Sequence, residues 1–245
     1  MAKYYIISPQ TYDDQFWWKK DDIEFWKEII ELDNKVLELA SGTGRLGLPL
    51  LRDHLNYTGL EISTDYVNFS NLKFSNCTPF IQGDMKNFEL QAKYDVIFIG
   101  FNSLLHLLSE EEFLMCLSSI KKHMHSGTKL YIDIFVPKPS FLYRDRSSLI
   151  VMEFFDSHQG HLSVIEETLF YDNTNEIVSV KWQYKKKNTD YTYNVFDFKM
   201  KVYYPDSMNR ILLDAGFNII NLWGSYNKDS FTETSELQIY EIGLF

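Results

Sequence analysis

The chain has 245 residues, 45% of them hydrophobic and 24% charged, so it is long enough to bury a full core. Its formal net charge of −10 excludes DNA as a partner and argues against RNA, because a phosphate backbone is bound by clustered Lys and Arg. The composition contains no long Pro, Gly or Ser linker, which favours one compact body with an insertion.

The sequence contains no apolar run of the length that a membrane span needs, roughly 18 residues, and the N-terminus does not resemble a signal peptide. We therefore expect a cytoplasmic protein that binds no membrane. Cys77 and Cys116 are far apart in apolar surroundings, which indicates neither a disulfide nor a thiolate metal site. The His residues form no zinc-binding pair, and His123 and His125 are expected at an exposed helix end before Gly127. No metal is expected.

Aromatic residues are unusually frequent, at 16% of the chain. Much of the excess lies in the first 30 residues and between residues 152 and 204. The first stretch contains an amphipathic helical pattern formed by Ile23, Trp26, Ile29 and Ile30.

Residues 35–135 repeat a short apolar run, a turn and a helical period, which is typical of parallel βαβ units. Strands are predicted at residues 35–39, 58–62, 79–82, 95–99 and 130–135. Gly127 is predicted to end the helix before the fifth strand.

Beyond Pro137 the pattern changes to strict alternation, with Val178, Val180, Trp182 and Tyr184 on one face of a strand. Turn sequences on both sides predict a three-stranded antiparallel meander over residues 162–203, with a bulge near Val195 and Phe196. A helix over 205–215 and two strands, at 218–223 and 237–243, follow. The predicted fold is α/β: a Rossmann-like, doubly wound, seven-stranded, mostly parallel sheet with an inserted antiparallel β meander.

The segment ELASGTGR joins the first strand to a helix and places Gly42 and Gly44 where backbone must approach a ligand closely. Glu61 ends the second strand, 17 residues after Gly44, where an acidic side chain can accept from both ribose hydroxyls; the alternative is a surface carboxylate. The pattern lacks the glycines of a dinucleotide site, which favours a nucleoside without phosphates. Asp84 and Met85 end the third strand and suit an adenine amine and ring, or they are a turn acid and a core Met.

These motifs, together with YDVIFIGFNSLLHLL and GTKLYIDIF, resemble the ordered motifs of class I S-adenosylmethionine-dependent methyltransferases over residues 35–135. More weakly, nearly the whole chain is similar to sugar-amine and peptide N-methyltransferases with a β insertion after the fifth strand. The domains that this resemblance implies are an N-terminal helical aromatic cap (1–34), a core that binds S-adenosylmethionine (35–148), the β insertion as substrate lid or platform (149–204) and completion of the core sheet (205–245).

The resemblance implies S-adenosyl-L-methionine as cofactor, with S-adenosyl-L-homocysteine as product. Glu38 and residues 42–44 would face the methionine part, Glu61 the ribose, Ile62 and Met85 the adenine faces, and Asp84 the adenine amine. The full set of cofactor-binding residues is then Tyr12, Glu38, Ala40, Gly42, Thr43, Gly44, Glu61, Ile62, Asp84, Met85 and Phe101. A glycine is commoner in the family where Ala40 stands, and the small methyl group of alanine is a minor departure from that pattern. Tyr12 matches an N-terminal tyrosine that closes over the cofactor, or it is a core aromatic.

The expected reaction is methyl transfer to a small-molecule or short-peptide acceptor, N-methylation preferred, in a monomer or homodimer. His106 is the candidate general base, with simple packing at a helix start as its alternative. Trp17 and Trp18 are adjacent and cannot share one helical face, so at least one lines the acceptor pocket or is exposed there. The aromatic stretches are predicted to bracket that pocket and to attract a cationic amine; they also suit the core of the insertion or a dimer interface.

Three alternatives are kept. The first is O-methylation of a small metabolite. The second is an RNA- or protein-modifying methyltransferase, which the lack of a basic surface disfavours. Enzymes that methylate base amines use a motif of the Asn-Pro-Pro-Tyr type after the fourth strand, and this sequence has GFNS there. The third is a non-catalytic protein of the same fold that binds the cofactor.

Overall fold

The computed structural model describes residues 7–53, 56–74 and 78–245, and Cys77 lies outside these ranges. Within them the chain forms two compact units. The α/β unit takes residues 21–136 and 203–245, and the insertion unit takes residues 7–20 and 137–202. None of the helices in the described ranges is long and apolar enough to span a membrane.

The helices are mostly short, and one 3₁₀ turn, Ser103–His106, accompanies them. The α-helices in chain order are α1 Pro9–Gln15, α2 Asp21–Ile29, α3 Gly47–Asp53, α4 Thr64–Leu72, α5 Glu110–Lys122, α6 Pro139–Leu142 and α7 Pro205–Asp214.

The strands divide between two sheets, one in each unit. In chain order they are β1 Val36–Leu39, β2 Tyr57–Glu61, β3 Phe80–Gln82, β4 Tyr94–Ile99, β5 Met124–Phe135, β6 Leu149–Asp156, β7 His161–Asp172, β8 Ile177–Lys186, β9 Thr192–Lys201, β10 Phe217–Trp223 and β11 Leu237–Leu244.

The α/β unit is built on a seven-stranded sheet in the order β10-β11-β5-β4-β1-β2-β3. Strands β1 to β5 pair in parallel, and β11 pairs antiparallel with both β5 and β10. Every residue of β1 is buried, as are the last four of β4, which explains why these strands are apolar on both faces. The predicted doubly wound, mostly parallel sheet is confirmed.

The core of the α/β unit joins α2 to the sheet through aromatic packing. The ring of Trp26 is fully buried and stacks on Phe98 of β4 with ring centroids 4.4 Å apart. Phe25 and Tyr131 contact Trp26 edge-on. Part of the N-terminal aromatic excess is therefore core. Cys116, on α5, is also fully buried, as predicted, and burial raises the pKa of its thiol.

The predicted end of α5 at Gly127 is wrong. The helix ends at Lys122, and Gly127 lies within β5, where pairing with β4 passes from Met124 directly to Lys129. His123 is buried, with Nδ1 2.7 Å from the Ser119 carbonyl, and its Nε2 accepts from the Leu90 amide. These contacts, which no local pattern reveals, stop the helix one turn early.

His125 is likewise part of β5 rather than an exposed helix end. Its Nε2 lies 3.0 Å from Asp95 Oδ1, and its backbone N–H donates to Thr128 Oγ1 at 2.8 Å. Both histidines therefore hold the irregular start of β5. Within the described ranges, no three His, Cys, Asp or Glu side chains are grouped so as to hold a metal ion.

The insertion unit carries a four-stranded antiparallel sheet in the order β6-β7-β8-β9. The antiparallel meander is confirmed, with β6 as one strand more than the three expected from residue 162 onward. The alternation predicted for β8 is also present, because Val178, Val180 and Tyr184 are buried on one face. The other face is open.

The bulge in β9 lies earlier than predicted. Tyr184 pairs with Asn194 and Lys185 with Thr192, so Tyr193 is the extra residue, not Val195 or Phe196. The Tyr193 hydroxyl donates to Asp156 of β6 at 2.9 Å. This long-range bond fixes a position that alternation along β9 alone does not determine.

Helix α1 packs within the insertion unit through buried polar contacts. The Thr11 hydroxyl donates to the Asp156 carboxylate, with oxygen separations of 3.1 and 3.2 Å, and the Tyr184 hydroxyl donates to Gln15 Oε1 at 2.9 Å. Tyr12 packs against the buried Phe154 and Tyr184 cluster of the same unit. Helix α2, in contrast, belongs to the α/β unit.

Candidate functional site

The order of strands in the α/β unit creates a crevice at the carboxyl end of the sheet. From β1 the chain adds β2 and β3 on one side, and then β4 and β5 on the other. Ligands of open α/β sheets bind outside the carboxyl ends of the strands where the order reverses in this way. The loop after β1 lies at that point.

The loop after β1 is built on left-handed backbone. Ala40, Gly42 and Gly44 have φ angles of 57°, 58° and 78°. The two glycines serve different ends: a Cβ on Gly44 would lie 2.7 Å from the Phe80 ring, whereas a Cβ on Gly42 would meet no atom within 4 Å. Gly44 is therefore needed for packing, and Gly42 borders open space where a ligand fits.

Ala40 is a strained position rather than an inexpensive substitute for glycine. A left-handed φ costs an L-residue roughly 1–2 kcal/mol, because its Cβ approaches the following carbonyl. Ala40 therefore carries a conformational cost that a glycine at this position would not carry. The next residue, Ser41, is buried, and its hydroxyl has no hydrogen-bond partner among the described residues.

Glu61 joins the end of β2 to the loop after β1. The side chain is only 1% exposed. Its Oε2 accepts from the Gly42 amide at 2.9 Å, and its Oε1 accepts from the Ser63 amide at 2.8 Å. Burial raises the pKa of this carboxyl, while the backbone amides of Ser63, Gly42 and Ile62 act in the opposite direction. The alternative of a surface carboxylate is excluded by this burial.

Glu38 is a second buried carboxyl, in β1. The Tyr57 hydroxyl, on the neighbouring β2, donates to its Oε2. Burial raises the pKa of Glu38 to about 8, against the lowering effects of the Tyr57 bond and the Arg45 charge. Glu61 and Asp22 lie near enough for their charges to raise this pKa as well. The crevice thus holds several acidic groups.

Arg45 and Asp22 form a bidentate ion pair beside the loop. Two guanidinium nitrogens of Arg45 lie 3.0 and 2.6 Å from the two oxygens of the fully buried Asp22 carboxylate. The guanidinium also lies 4.5 Å from the centre of the Phe101 ring. Arg45 is the last residue of the ELASGTGR motif, so it ties that motif to α2 and to the segment after β4.

The segment after β4 is held in a left-handed turn by Asp133. Phe101 and Asn102 have φ angles of 51° and 64°. The Phe101 amide donates to Asp133 Oδ2 at 3.1 Å, and the Tyr226 hydroxyl donates to the same oxygen at 2.7 Å. Asn102 Oδ1 accepts from the Phe135 amide at 2.7 Å. This network fixes Phe101, one of the predicted cofactor contacts, in place.

Asp84 and Met85 follow β3 and are half-buried. Asp84 Oδ1 accepts from the Lys86 amide at 2.9 Å, and its Oδ2 lies 3.8 Å from Lys86 Nζ. Asp84 therefore stabilises the turn in which it lies, and its carboxylate can still accept further hydrogen bonds. Ile62, directly after β2, is also half-buried.

Comparisons with a family model and with solved structures show what this chain is similar to. Residues 36–127 match the family model described as a methyltransferase domain. In a search of solved structures, the CcbJ methyltransferase from Streptomyces caelestis aligns with a TM-score of 0.78 at 19% identity, over 92% of this chain and 94% of that one. The sugar N-methyltransferase KedS8 from Streptoalloteichus sp ATCC 53650 aligns with a TM-score of 0.68 at 16% identity, over 98% and 96%.

The chain has the class I methyltransferase fold.

Curated relatives match part of the chain. YqeM of Bacillus subtilis (strain 168), which is named a putative methyltransferase, is 24% identical over 163 residues, 60% of this chain and 65% of the relative. A dTDP-3-amino-3,4,6-trideoxy-alpha-D-glucopyranose N,N-dimethyltransferase from Streptomyces venezuelae is 26% identical over 100 residues, 41% of this chain and 42% of the relative. The alignments thus cover less than two thirds of either relative. The names of both relatives indicate methyl transfer, and they name no common acceptor.

Most of the predicted cofactor residues lie in the part of the chain that matches the family model. The matched range, 36–127, contains all of them except Tyr12. Tyr12, Trp17 and Trp18 belong to the insertion unit, where Trp17 is 64% and Trp18 52% exposed. His106 ends the 3₁₀ turn after β4, and its side chain is exposed.

Sequence reasoning missed three residues of the α/β unit that hold the crevice together. They are Asp22, Asp133 and Tyr226. The sequence does carry a signal for Asp133, because this carboxylate lies inside the apolar fifth strand LYIDIF. A charge in such a place is seldom unpaired. Asp22 and Tyr226 carry no local signal, because their partners are distant in sequence.

Proposed function

We propose that this protein is an S-adenosylmethionine-dependent methyltransferase that methylates an amino group of a small molecule or a short peptide. The observation that carries the proposal is the buried Glu61 carboxylate at the end of β2, held against the left-handed loop after β1. In this fold an acidic side chain at that position accepts from the ribose hydroxyls of a bound nucleoside.

The residues present fit such a nucleoside. Backbone amides donate to both Glu61 oxygens, and a carboxylate, which has about four acceptor positions, can also accept from ribose hydroxyls. The open space beside Gly42 leaves room for the ligand, and the unpartnered Ser41 hydroxyl lies in the same loop. A carboxylate suits a neutral diol, which donates hydrogen bonds, better than an anionic phosphate.

We assign the other contacts by chemistry. The thioether of Met85 and the side chain of Ile62 would cover the adenine ring, and Asp84 would accept from its amine. Glu38, with residues 40–44, would face the cationic methionine portion, and Phe101 would line the crevice from the end of β4. Tyr12 remains a proposed cover residue.

S-adenosylmethionine supplies an electrophilic methyl group on a sulfonium sulfur. The protein then has to hold the acceptor in line with that methyl group and to exclude water. No protein nucleophile is needed. Cys116 does not offer one, because its thiol is fully buried and burial raises its pKa.

The preference for nitrogen rests on two observations. The protein is acidic overall, which attracts amines, and the relative from Streptomyces venezuelae is named as an N,N-dimethyltransferase of an amino sugar. An amine attacks only when neutral, so a base near the end of β4 assists it. His106 is proposed for this role and Trp17 and Trp18 for contacts with the acceptor. A cytoplasmic monomer or homodimer remains our prediction.

Calorimetry tests the cofactor site. We expect S-adenosylmethionine to bind the wild-type protein and Glu61→Ala to weaken binding about tenfold or more, because two hydrogen bonds to a charged group are lost. Glu24→Ala, on the exposed side of α2, is the matched control and should bind normally. Absence of binding to the wild type would contradict the proposal.

A panel of amines, amino sugars, peptides and alcohols, followed by mass spectrometry, tests the activity. A methylated amine supports the proposed reaction, a methylated alcohol replaces it with O-transfer, and binding without any product indicates a non-catalytic cofactor-binding protein.

With the amine substrate in hand, His106→Ala tests the base. We expect turnover to fall about 10²-fold or more, and most strongly below the pKa of the acceptor amine, because a positioned base contributes a factor of that order. Near-normal turnover of His106→Ala from pH 6 to 9 would contradict the assignment of His106 as the base.

A further inference from the structure

The open face of the insertion sheet carries a cavity of about 410 Å³. Two rows of side chains cross it from β7 to β9. In register, one row is Thr168, Lys181 and Asp197, and the other is Phe170, Ser179 and Lys199. Arg146, from the segment before β6, completes the polar lining. The volume of the cavity lies within the range of small-molecule sites.

The cations of this cavity differ from their neighbours on the same strands. Lys185 of β8 pairs with Glu166 at 2.6 Å, and Lys201 of β9 pairs with Glu176 at 2.9 Å. Neither Lys181 nor Lys199 has an ion pair within 4.0 Å in the part of the chain that the structure describes, although Asp197 is the cross-strand neighbour of Lys181. Lys199 acts on Asp172 only at longer range, where its charge helps to lower the pKa of that carboxyl. Neither lysine is in contact with a carboxylate of the described residues, so both can contact a ligand.

Arg146 is already oriented over an aromatic surface. Its guanidinium lies 4.4 Å from the centre of the Phe170 ring, which is 45% exposed. Stacking of this kind holds the planar group without using its N–H donors. Arg146, like the two lysines, has no ion pair within the described residues.

The charge of the chain is unevenly divided. Residues 21–136 and 203–245 contain 12 Lys and Arg against 23 Asp and Glu, whereas residues 1–20 and 137–202 contain 12 against 11. The acidic excess therefore lies wholly in the α/β unit. Against that background, three cations and one carboxylate around a single cavity form a locally basic site.

We propose that this cavity binds a small molecule that carries a phosphate group, such as a nucleoside phosphate. A guanidinium fork and two lysines match the charge and the several acceptors of a phosphate. The hydroxyls of Thr168 and Ser179 add donors, and the Phe170 ring offers an apolar surface to the rest of the ligand. The inference does not rest on the proposed methyl transfer.

Titration calorimetry of the full chain at low salt tests this site with uridine diphosphate, pyrophosphate and uridine. We expect the two phosphate compounds to bind and uridine not to bind. The combined variant Lys181→Gln, Lys199→Gln should lose about tenfold or more in affinity for uridine diphosphate, because each lysine removed is a charged hydrogen-bond donor. Raising the salt concentration should weaken binding to the wild type.

The matched control is Lys185→Gln with Lys201→Gln, which changes the same charge on the same two strands but leaves the cavity lining intact. It should bind uridine diphosphate like the wild type. Both double variants should keep the melting temperature and S-adenosylmethionine affinity of the wild type, which separates failure of this site from misfolding and from failure of the methyl-donor site.

Three results would overturn the assignment. The first is the absence of uridine diphosphate binding at millimolar concentration. The second is an equal loss of affinity in the two double variants. The third is a dimer, seen by sedimentation, that the cavity variant dissociates, because the face would then be covered by a second copy of the chain.

Discussion

A single methyl group in the loop after β1 illustrates how the site constrains individual residues. Ala40 has a left-handed φ of 57° just before Ser41, the first residue of the SGTG segment. An L-residue tolerates this conformation only when the surroundings impose it. Ala40 directly precedes the Ser41 amide, which donates to the Leu60 carbonyl at 3.0 Å and so holds the loop against β2. The strain is thus a cost of forming the crevice.

Ala40→Gly should raise the free energy of unfolding by about 0.5–1 kcal/mol, since relief of the left-handed strain exceeds the added entropy of the unfolded chain. Chemical denaturation measures the change. The matched control is Ala215→Gly, because Ala215 has an ordinary φ of −74° at the end of α7. That variant should lower the free energy of unfolding by about 0.5–1 kcal/mol. A loss of stability in both variants would show that Ala40 is not strained.

At the scale of elements, β1 and β2 are joined by more than their backbone ladder. Glu38 of β1 lies opposite Gly59 of β2, and its carboxyl accepts from the Tyr57 hydroxyl across the same pair of strands. Both side chains are buried, so an ionised Glu38 is costly, and burial raises its pKa to about 8. The crevice of the protein without ligand therefore favours the neutral acid.

Glu38→Gln should reduce the pH dependence of stability. In the wild type the folded state holds a proton that the unfolded state releases near the ordinary pKa, so this stabilisation is complete below about pH 4.5 and is lost as pH rises toward 8. The slope is at most about 1.4 kcal/mol per pH unit for one proton. Urea denaturation between pH 5 and 8 should give a shallower decline for the variant; unchanged slopes would place the proton elsewhere.

The first and last residues of an element could be predicted from the sequence where neighbouring residues, such as a proline or a glycine, set them. Helix α7 begins at Pro205 and ends before Gly216, which has a φ of 78°, as its proline and glycine predict. The start of β5 and the bulge at Tyr193 were not predictable. His123 and Tyr193 make hydrogen bonds to residues 33 and 37 positions away, and those bonds override the local pattern.

At the scale of the whole molecule, the net charge is unevenly distributed between the two units. The chain has a net charge of −10, yet the residues of the insertion unit have slightly more basic than acidic side chains. Net charge argues against a nucleic-acid wrapping surface, and this stays a prediction. It gave no indication that Arg146, Lys181 and Lys199 line one cavity, since that depends on the pairing of β7, β8 and β9.

The sequence by itself determined the class of fold and indicated most of the residues that we propose for the cofactor site. Both depend on short-range features: the alternation of strands and helices, the glycines after β1, and Glu61 at the end of β2. Parallel strand ends meet at one edge, so these residues had to converge. Only the tertiary structure decided that Asp22 pairs with Arg45, that Asp133 holds the turn after β4, and that Trp26 is core. Each of these depends on segments distant in the chain, whose meeting is set by packing rather than by local propensity.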